Sequence, residues 1–147
     1  MDGGSQNDQV RKILSYARRI AVVGLSPDPG RASNGVARAL LDHGYEIVPV
    51  NPTIDEALGL RSCPSLADVP GDVDIVDVFR APEHLEGVAR EAAAVGARAL
   101  WLQLGLGSVS TRRIAEEAGM DYVEDLCLKV EVYRLDGVIT LPAEAAR

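Results

Sequence analysis

The turn after the first apolar run constrains the fold of this chain most. Residues 20–23 form a short apolar run, and a turn rich in glycine and proline, residues 24–33, separates it from a helical pattern beginning near Asn34. A strand, a glycine-containing turn and a helix in this order are typical of the phosphate-holding start of a Rossmann-like domain. The dinucleotide spacing G-x-G-x-x-G is absent, because Ser26 replaces the second glycine and Arg31 and two prolines lengthen the turn. The turn therefore predicts a phosphate site that is not built for NAD.

Strand and helix patterns alternate along the chain. Apolar runs typical of strands occupy residues 19–24, 46–50, 73–79, 97–104 and 122–123. Helical periodicity occupies residues 10–17, 34–43, 82–96, 110–118 and 126–132. We therefore predict an α/β fold with a single doubly wound, Rossmann-like parallel sheet of five strands and helices on both faces. The expected strand order is 3-2-1-4-5, which puts the ligand site at the carboxyl ends of strands 1 and 4.

Length and composition exclude several classes of protein. The 147 residues fit one domain, residues 1–147, in which residues 1–6 and 136–147 are expected to be peripheral or flexible. A net charge of −7, few aromatic residues and no dense basic run argue against nucleic acid or an anionic membrane as the main partner. No apolar run approaches the ~18 residues of a membrane span, so a cytoplasmic location is expected. Cys63 and Cys127 lie far apart with no C-x-x-C, so we expect free thiols and no metal site.

Candidate ligand groups converge on the first turn. Ser26 can donate its hydroxyl, Arg31 can supply a charge-assisted bond, and the backbone amides of residues 34–36, after an N-cap at Ser33, would face an anion. The alternative is a turn in which Gly24 serves close packing alone and the prolines supply rigidity. Asp77 interrupts the third apolar run, and we expect it to face a helix start or solvent.

Several nucleotide ligands and reactions lack their usual residues. The second strand ends in Asn51-Pro52, without the carboxylate that grips the NAD ribose, and no G-K-[ST] follows the first turn. Phe79 and Trp101 are the only aromatic candidates besides four tyrosines, so a flavin sandwich is disfavoured. Neither histidine lies in a Ser or Cys nucleophile pattern, so no catalytic residue is expected.

The chain resembles the small stand-alone CoA-binding proteins of Rossmann-like fold, which are similar to the CoA-binding domain of succinyl-CoA synthetase alpha subunits. The resemblance spans residues 20–135. It rests on the ordered blocks Val-Gly-Leu-Ser at 23–26, Arg-Ala-Ser at 31–33, Val-Pro-Val-Asn-Pro at 48–52, Ser-Leu-Ala-Asp-Val-Pro at 65–70, Asp-Val-Phe-Arg at 77–80, Leu-Trp-Leu-Gln-Leu-Gly at 100–105 and Asp-Leu-Cys-Leu-Lys-Val-Glu at 125–131.

This resemblance implies coenzyme A, or an acyl-CoA, lying across the strand ends. It implies a pyrophosphate at Gly24, Ser26, Arg31 and Gly35, an adenosine near Asn51, Pro52, Phe79 and Arg80, and a pantetheine arm passing Gln103 and Gly105. The implied function is a CoA-binding module with no catalysis of its own. Two alternatives stay open: a non-catalytic subunit or fragment of an acyl-CoA ligase or transferase, and a regulator that senses NAD or another adenylate. A homo-oligomer or an unknown protein partner also stays open.

Overall fold

A computed structural model describes residues 6–142 of the chain. The helices are α1 (Gln6–Tyr16), α2 (Ala32–Asp42), α3 (Leu85–Ala94), α4 (Val109–Glu117) and α5 (Leu128–Leu135). The strands are β1 (Arg19–Val23), β2 (Glu46–Val50), β3 (Glu56–Ala57), β4 (Leu60–Arg61), β5 (Ile75–Val78), β6 (Ala99–Leu102) and β7 (Asp121–Val123). Short 3₁₀ turns occupy Leu66–Asp68 and Pro82–His84.

Five of these strands form one parallel sheet in the order β2-β1-β5-β6-β7, while β3 and β4 form a separate antiparallel hairpin. On one face, the core joins α1, α2 and α5 to side chains such as Val22 and Trp101. On the other face, α3 and α4 pack over Val76 and Leu100. The predicted class, a five-stranded parallel α/β sheet with helices on both faces, is confirmed.

The place of one strand differs from the expected order 3-2-1-4-5. The third parallel strand, β5, pairs with β1 instead of lying outside β2. The reason is the outer edge of β2, where Pro49 has no N–H to offer a further strand. The Cys63 amide donates to the Pro49 carbonyl at 2.9 Å, and the Asn51 amide donates to the Cys63 carbonyl at 2.9 Å, so a loop covers that edge. The point where the strand order reverses therefore lies between β1 and β5.

The ends of the described chain pack on this framework. The Gln6 side chain donates to the Glu124 carbonyl and accepts from the Glu124 amide, both at 2.8 Å. Leu141 is buried in the same core as α1, α2 and α5. Of the terminal segments expected to be peripheral, residues 1–5 and 143–147 lie outside the described part of the chain. Within residues 6–142, the helices are too short and too polar to cross a membrane.

Candidate functional site

Four clefts lie along the carboxyl edge of the parallel sheet. We name them the loop cleft, the apolar cleft, the hairpin cleft and the β7 cleft. The loop cleft, about 200 Å³, is lined by Gly24, Ser26, Arg31, Ala32, Ser33 and Phe79. The apolar cleft, about 350 Å³, is lined by Ala32, Val36, Phe79, Arg80, Gln103, Leu104, Leu106 and Cys127. These two clefts share Ala32 and Phe79, so together they form one continuous groove.

Two further clefts lie at the same edge of the sheet. The hairpin cleft, about 520 Å³, follows β2 and is lined by Asn51, Pro52, Ile54, Asp55, Arg61, Ser62 and Pro64. The β7 cleft, about 500 Å³, is lined by Gly105, Leu106, Gly107, Ser108, Val109, Arg112, Glu124 and Asp125. It shares Leu106 with the apolar cleft. Nine of the ten site residues expected from the sequence thus line this edge, and Gly35 lines none of the four clefts.

Gly24 brings two loops together where the strand order reverses. Its φ is +88°, and a Cβ built on it would lie 2.2 Å from the Phe79 carbonyl oxygen. Two hydrogen bonds of 2.8 Å surround this contact, from the Gly24 amide to the Val50 carbonyl and from the Phe79 amide to the Val23 carbonyl. Only glycine combines this backbone conformation with so close an approach. Gly24 therefore sets how the loop after β1 and the loop after β5 meet.

Hydrogen bonds within the first loop hold Ser26 in place. The Ser26 amide donates to the Ser33 hydroxyl at 3.0 Å, and the Ser26 carbonyl accepts from Asn34 Nδ2 at 3.0 Å. The Ser26 hydroxyl accepts from the Asp28 amide at 3.1 Å. Because a hydroxyl carries one donor besides its acceptor positions, Ser26 retains an O–H that can donate to a ligand.

Helix α2 begins earlier than the sequence indicates. Its N-cap is Arg31, which makes no side-chain cap, whereas Ser33 was the expected cap. The amides of Asn34 and Gly35 donate to the Arg31 carbonyl at 3.1 and 3.2 Å, so they are not the free anion-binding donors that we expected. The free amides at this helix start are those of Ala32 and Ser33, which precede the first amide that donates within the helix and whose residues line the loop cleft.

Two arginines bring positive charge to the groove of a chain with a net charge of −7. Arg31 is exposed at the rim of the loop cleft, and Arg80 is half-buried in the apolar cleft. No carboxylate among residues 6–142 forms an ion pair with either guanidinium. Both are therefore available to an anionic ligand.

Asn51 and Gly105 are tied to neighbouring loops. Asn51 Nδ2 donates to the Leu25 carbonyl at 3.0 Å, and its Oδ1 accepts from the amide and the hydroxyl of Thr53 at 3.0 and 2.8 Å. Gly105, at φ +82°, donates its amide to Asp125 Oδ1 at 2.7 Å. Their first role is to join the loops that frame the clefts.

A buried polar pair lies beneath the apolar cleft. Gln103 is 5% exposed, and its Nε2 donates to Asp77 Oδ1 at 2.8 Å. Asp77 is fully buried, contrary to the expectation that it faces solvent or a helix start. Burial raises the pKa of Asp77 to about 7, although the Gln103 hydrogen bond acts in the opposite direction. Within residues 6–142, the second oxygen of Asp77 has no hydrogen-bond partner.

The sequence does not indicate Arg61 as a candidate site residue. Arg61 shares the hairpin cleft with Asn51 and Pro52, because β3 and β4 turn back through Leu58 and Gly59 at φ +56° and +75°. Two successive positive φ values are typical of a two-residue hairpin, but Leu-Gly is a weak sequence signal for one. Cys127 is the N-cap residue of α5 and lines the apolar cleft.

Comparison with known proteins shows which family this chain matches. Residues 18–133 match the family model described as CoA binding domain. The protein YneT of Bacillus subtilis (strain 168) is 48% identical over 122 residues, which are 83% of this chain and 90% of YneT. A solved structure of a hypothetical protein from Pyrococcus horikoshii OT3 has 37% identity and a TM-score of 0.86, covering 93% of this chain and 96% of that chain.

A third similarity extends to a much larger enzyme. The ADP-forming acetate–CoA ligase of Methanocaldococcus jannaschii is 32% identical over 68 residues, 46% of this chain but 10% of the ligase. This chain thus corresponds to a small part of that enzyme. The resemblance drawn from the sequence blocks is confirmed. The chain belongs to the CoA-binding domain family and is homologous to the CoA-binding region of ADP-forming acetyl-CoA synthetases.

Proposed function

We propose that this chain binds coenzyme A or an acyl-CoA across the carboxyl ends of its parallel strands and catalyses no reaction of its own. The observation that carries this proposal is the continuous groove in which Ala32 and Phe79 join a polar loop cleft to an apolar cleft. Coenzyme A has the same sequence of parts, a pyrophosphate followed by a slender pantetheine arm. Membership of the CoA-binding domain family supports the same ligand.

The pyrophosphate is assigned to the loop cleft. The Ser26 hydroxyl and the amides of Ala32 and Ser33 are donors there, and Arg31 adds a positive charge at the rim. Amides at a helix start favour an anion because the helix dipole and unpaired N–H groups act together. Gly24 contributes through the loop contact, while Gly35 supports the first turn of α2 behind these donors.

The adenosine is assigned to the hairpin cleft beside Asn51 and Pro52. Arg61 lines this cleft, and we assign it the 3′-phosphate, which distinguishes coenzyme A from NAD and from ADP. Phe79 and Arg80 then flank the passage from the pyrophosphate to the arm, and Gln103 and Gly105 border the arm itself. Dephospho-CoA tests the Arg61 assignment, because Arg61→Ala should weaken binding of coenzyme A and leave binding of dephospho-CoA unchanged.

Homology to the acetate–CoA ligase favours a second candidate, a CoA-binding subunit that needs a catalytic partner. Neither His43 nor His84 lines any of the four clefts, so this chain brings no histidine to the groove. We therefore expect no turnover of acyl-CoA esters by the purified chain. Robust thioester hydrolysis that one point substitution abolishes would overturn the non-catalytic proposal.

Titration calorimetry with coenzyme A, NAD, ATP and FMN tests the ligand class directly. We expect coenzyme A to bind more tightly than the other three. Arg31→Ala should weaken coenzyme A binding by about 1.5–3 kcal/mol, the range for a hydrogen bond to a charged group. Arg38→Ala is the matched control, because Arg38 is exposed on α2 and lines none of the four clefts. Tight NAD binding with no binding of coenzyme A would refute the proposal.

A further inference from the structure

Asp77 and Gln103 form a polar pair within an otherwise apolar layer. In the sheet register, Asp77 lies between Val22 of β1 and Trp101 of β6, which belong to the core face covered by α1, α2 and α5. Gln103 follows Trp101 by two residues, so it lies on that same face, one step nearer the carboxyl edge. Its side chain therefore links the buried carboxyl group to the floor of the apolar cleft.

No charged group accounts for the presence of a carboxyl group here. The helices covering this face contribute apolar side chains such as Ile13, Leu40 and Val132, and the buried Glu131 of α5 is paired with Arg134. Arg80 and Cys127 are the titratable residues lining the cleft above. Only burial and the Gln103 hydrogen bond act on the pKa of Asp77, so none of these groups stabilises its charge. The partner that Asp77 does have is the Gln103 amide.

This pairing fixes which end of the Gln103 amide faces the ligand groove. An ionised carboxylate only accepts hydrogen bonds, so the NH₂ group must turn towards Asp77. The Gln103 carbonyl oxygen is then left for the cleft, where most other lining side chains are apolar. A fixed amide oxygen in such a cleft is suited to a ligand N–H.

We propose that Asp77 is a positioning residue, which holds Gln103 so that its Oε1 accepts a hydrogen bond from an amide N–H of the pantetheine arm. This inference rests on the proposed function, since it assigns the apolar cleft to that arm. It also makes the site specific, because Gln103 Oε1 would recognise only a ligand arm that carries a secondary amide.

Protonation of Asp77 removes the constraint on Gln103. A neutral carboxyl group carries an O–H that can donate to Gln103 Oε1, which turns the NH₂ group towards the cleft and presents a donor to the ligand N–H. Binding of the arm therefore favours ionised Asp77. By linkage, the affinity for the arm rises as Asp77 loses its proton.

The test is titration calorimetry of wild type and Asp77→Asn from about pH 5.5 to pH 8.5, which brackets the pKa of about 7. The ligands are coenzyme A and adenosine 3′,5′-bisphosphate, which lacks the arm. For wild type, coenzyme A affinity should rise about three- to tenfold over this range relative to Asp77→Asn, the factor that one neutral hydrogen bond supplies. The bisphosphate should show no such difference between the two proteins, because ligand phosphates titrate alike in both.

A second readout uses wild type alone, so the test does not depend on how well Asp77→Asn folds. The Asp77 carboxyl carbon, followed by NMR with ¹³C-labelled aspartate, should titrate at lower pH in the coenzyme A complex than in the free protein. Coenzyme A binding with an unshifted Asp77 titration would overturn this inference and leave the proposed function intact. So would identical pH profiles for wild type and Asp77→Asn. No binding of coenzyme A by wild type at any pH would overturn both.

Discussion

Replacing Gly24 with alanine is expected to destabilise the protein through one backbone contact. The added Cβ would lie 2.2 Å from the Phe79 carbonyl oxygen, whereas ordinary contact begins near 3.4 Å. The two loops must therefore separate by roughly 1 Å, which strains the flanking Gly24–Val50 and Phe79–Val23 hydrogen bonds, both 2.8 Å long. Each bond has a net value of about 1 kcal/mol. A side chain at positive φ costs about 1–2 kcal/mol more.

The expected loss for Gly24→Ala is therefore about 3–4 kcal/mol. Gly119→Ala is the matched control, because Gly119 has φ +75° and an added Cβ there would meet no atom within 4 Å, so it carries the conformational cost alone. Urea unfolding of wild type and both variants gives the two free-energy changes. We expect Gly24→Ala to lose about 2 kcal/mol more than Gly119→Ala. Equal losses would show that the contact with Phe79 does not govern this turn.

Two further predictions concern single side chains, one beneath the groove and one that lines it. Because the native pKa of Asp77 is about 7 against 3.8 in the unfolded chain, the native state holds a proton that the unfolded state releases. Between about pH 4 and 7, wild type should lose up to about 4 kcal/mol of stability relative to Asp77→Asn. Parallel unfolding curves at every pH would contradict this. When CoA disulfide is added, the Cys127 thiolate should attack it and release one CoA thiolate. The product is a mixed disulfide between Cys127 and the other CoA. Intact mass should show this adduct in Cys63→Ser and not in Cys127→Ser, since Cys127 lines the apolar cleft; the reverse result would exclude that approach.

Local patterns in the sequence predict the elements better than their arrangement. β2 has the predicted bounds, residues 46–50, because its apolar run ends at Asn51-Pro52. The neighbour of β5 could not be read from hydrophobicity, since strands buried on both faces look alike whatever their order. Pro49 is the signal that marks β2 as an edge strand, because proline cannot donate to a further strand on that side.

For the candidate site too, the sequence predicts the local loop better than the contacts between distant segments. The first loop can be recognised in the sequence as a candidate ligand loop, because Gly24, Ser26 and Arg31 lie within eight residues of one another. The hairpin that brings Arg61 to Asn51 could not be predicted from the sequence, because its strands have only two residues each and show no periodicity. The sequence also does not predict that Gln103 is the partner of Asp77. The two residues are 26 positions apart and come together only because β5 pairs with β6.

The loop that covers the outer edge of β2 also affects how the sheet can assemble. Joining Pro49 to Cys63 closes a segment of 14 residues, whereas joining Ile20 of β1 to Ile75 of β5 closes one of 55 residues. This roughly fourfold difference in length makes the second closure costlier by about 1 kcal/mol of chain entropy. The shorter closure therefore occupies the edge of β2 at the smaller entropic cost. In the folded sheet β5 pairs with the other free edge, that of β1, and a topology with β5 outside β2 would require the Pro49–Cys63 and Asn51–Cys63 hydrogen bonds to break.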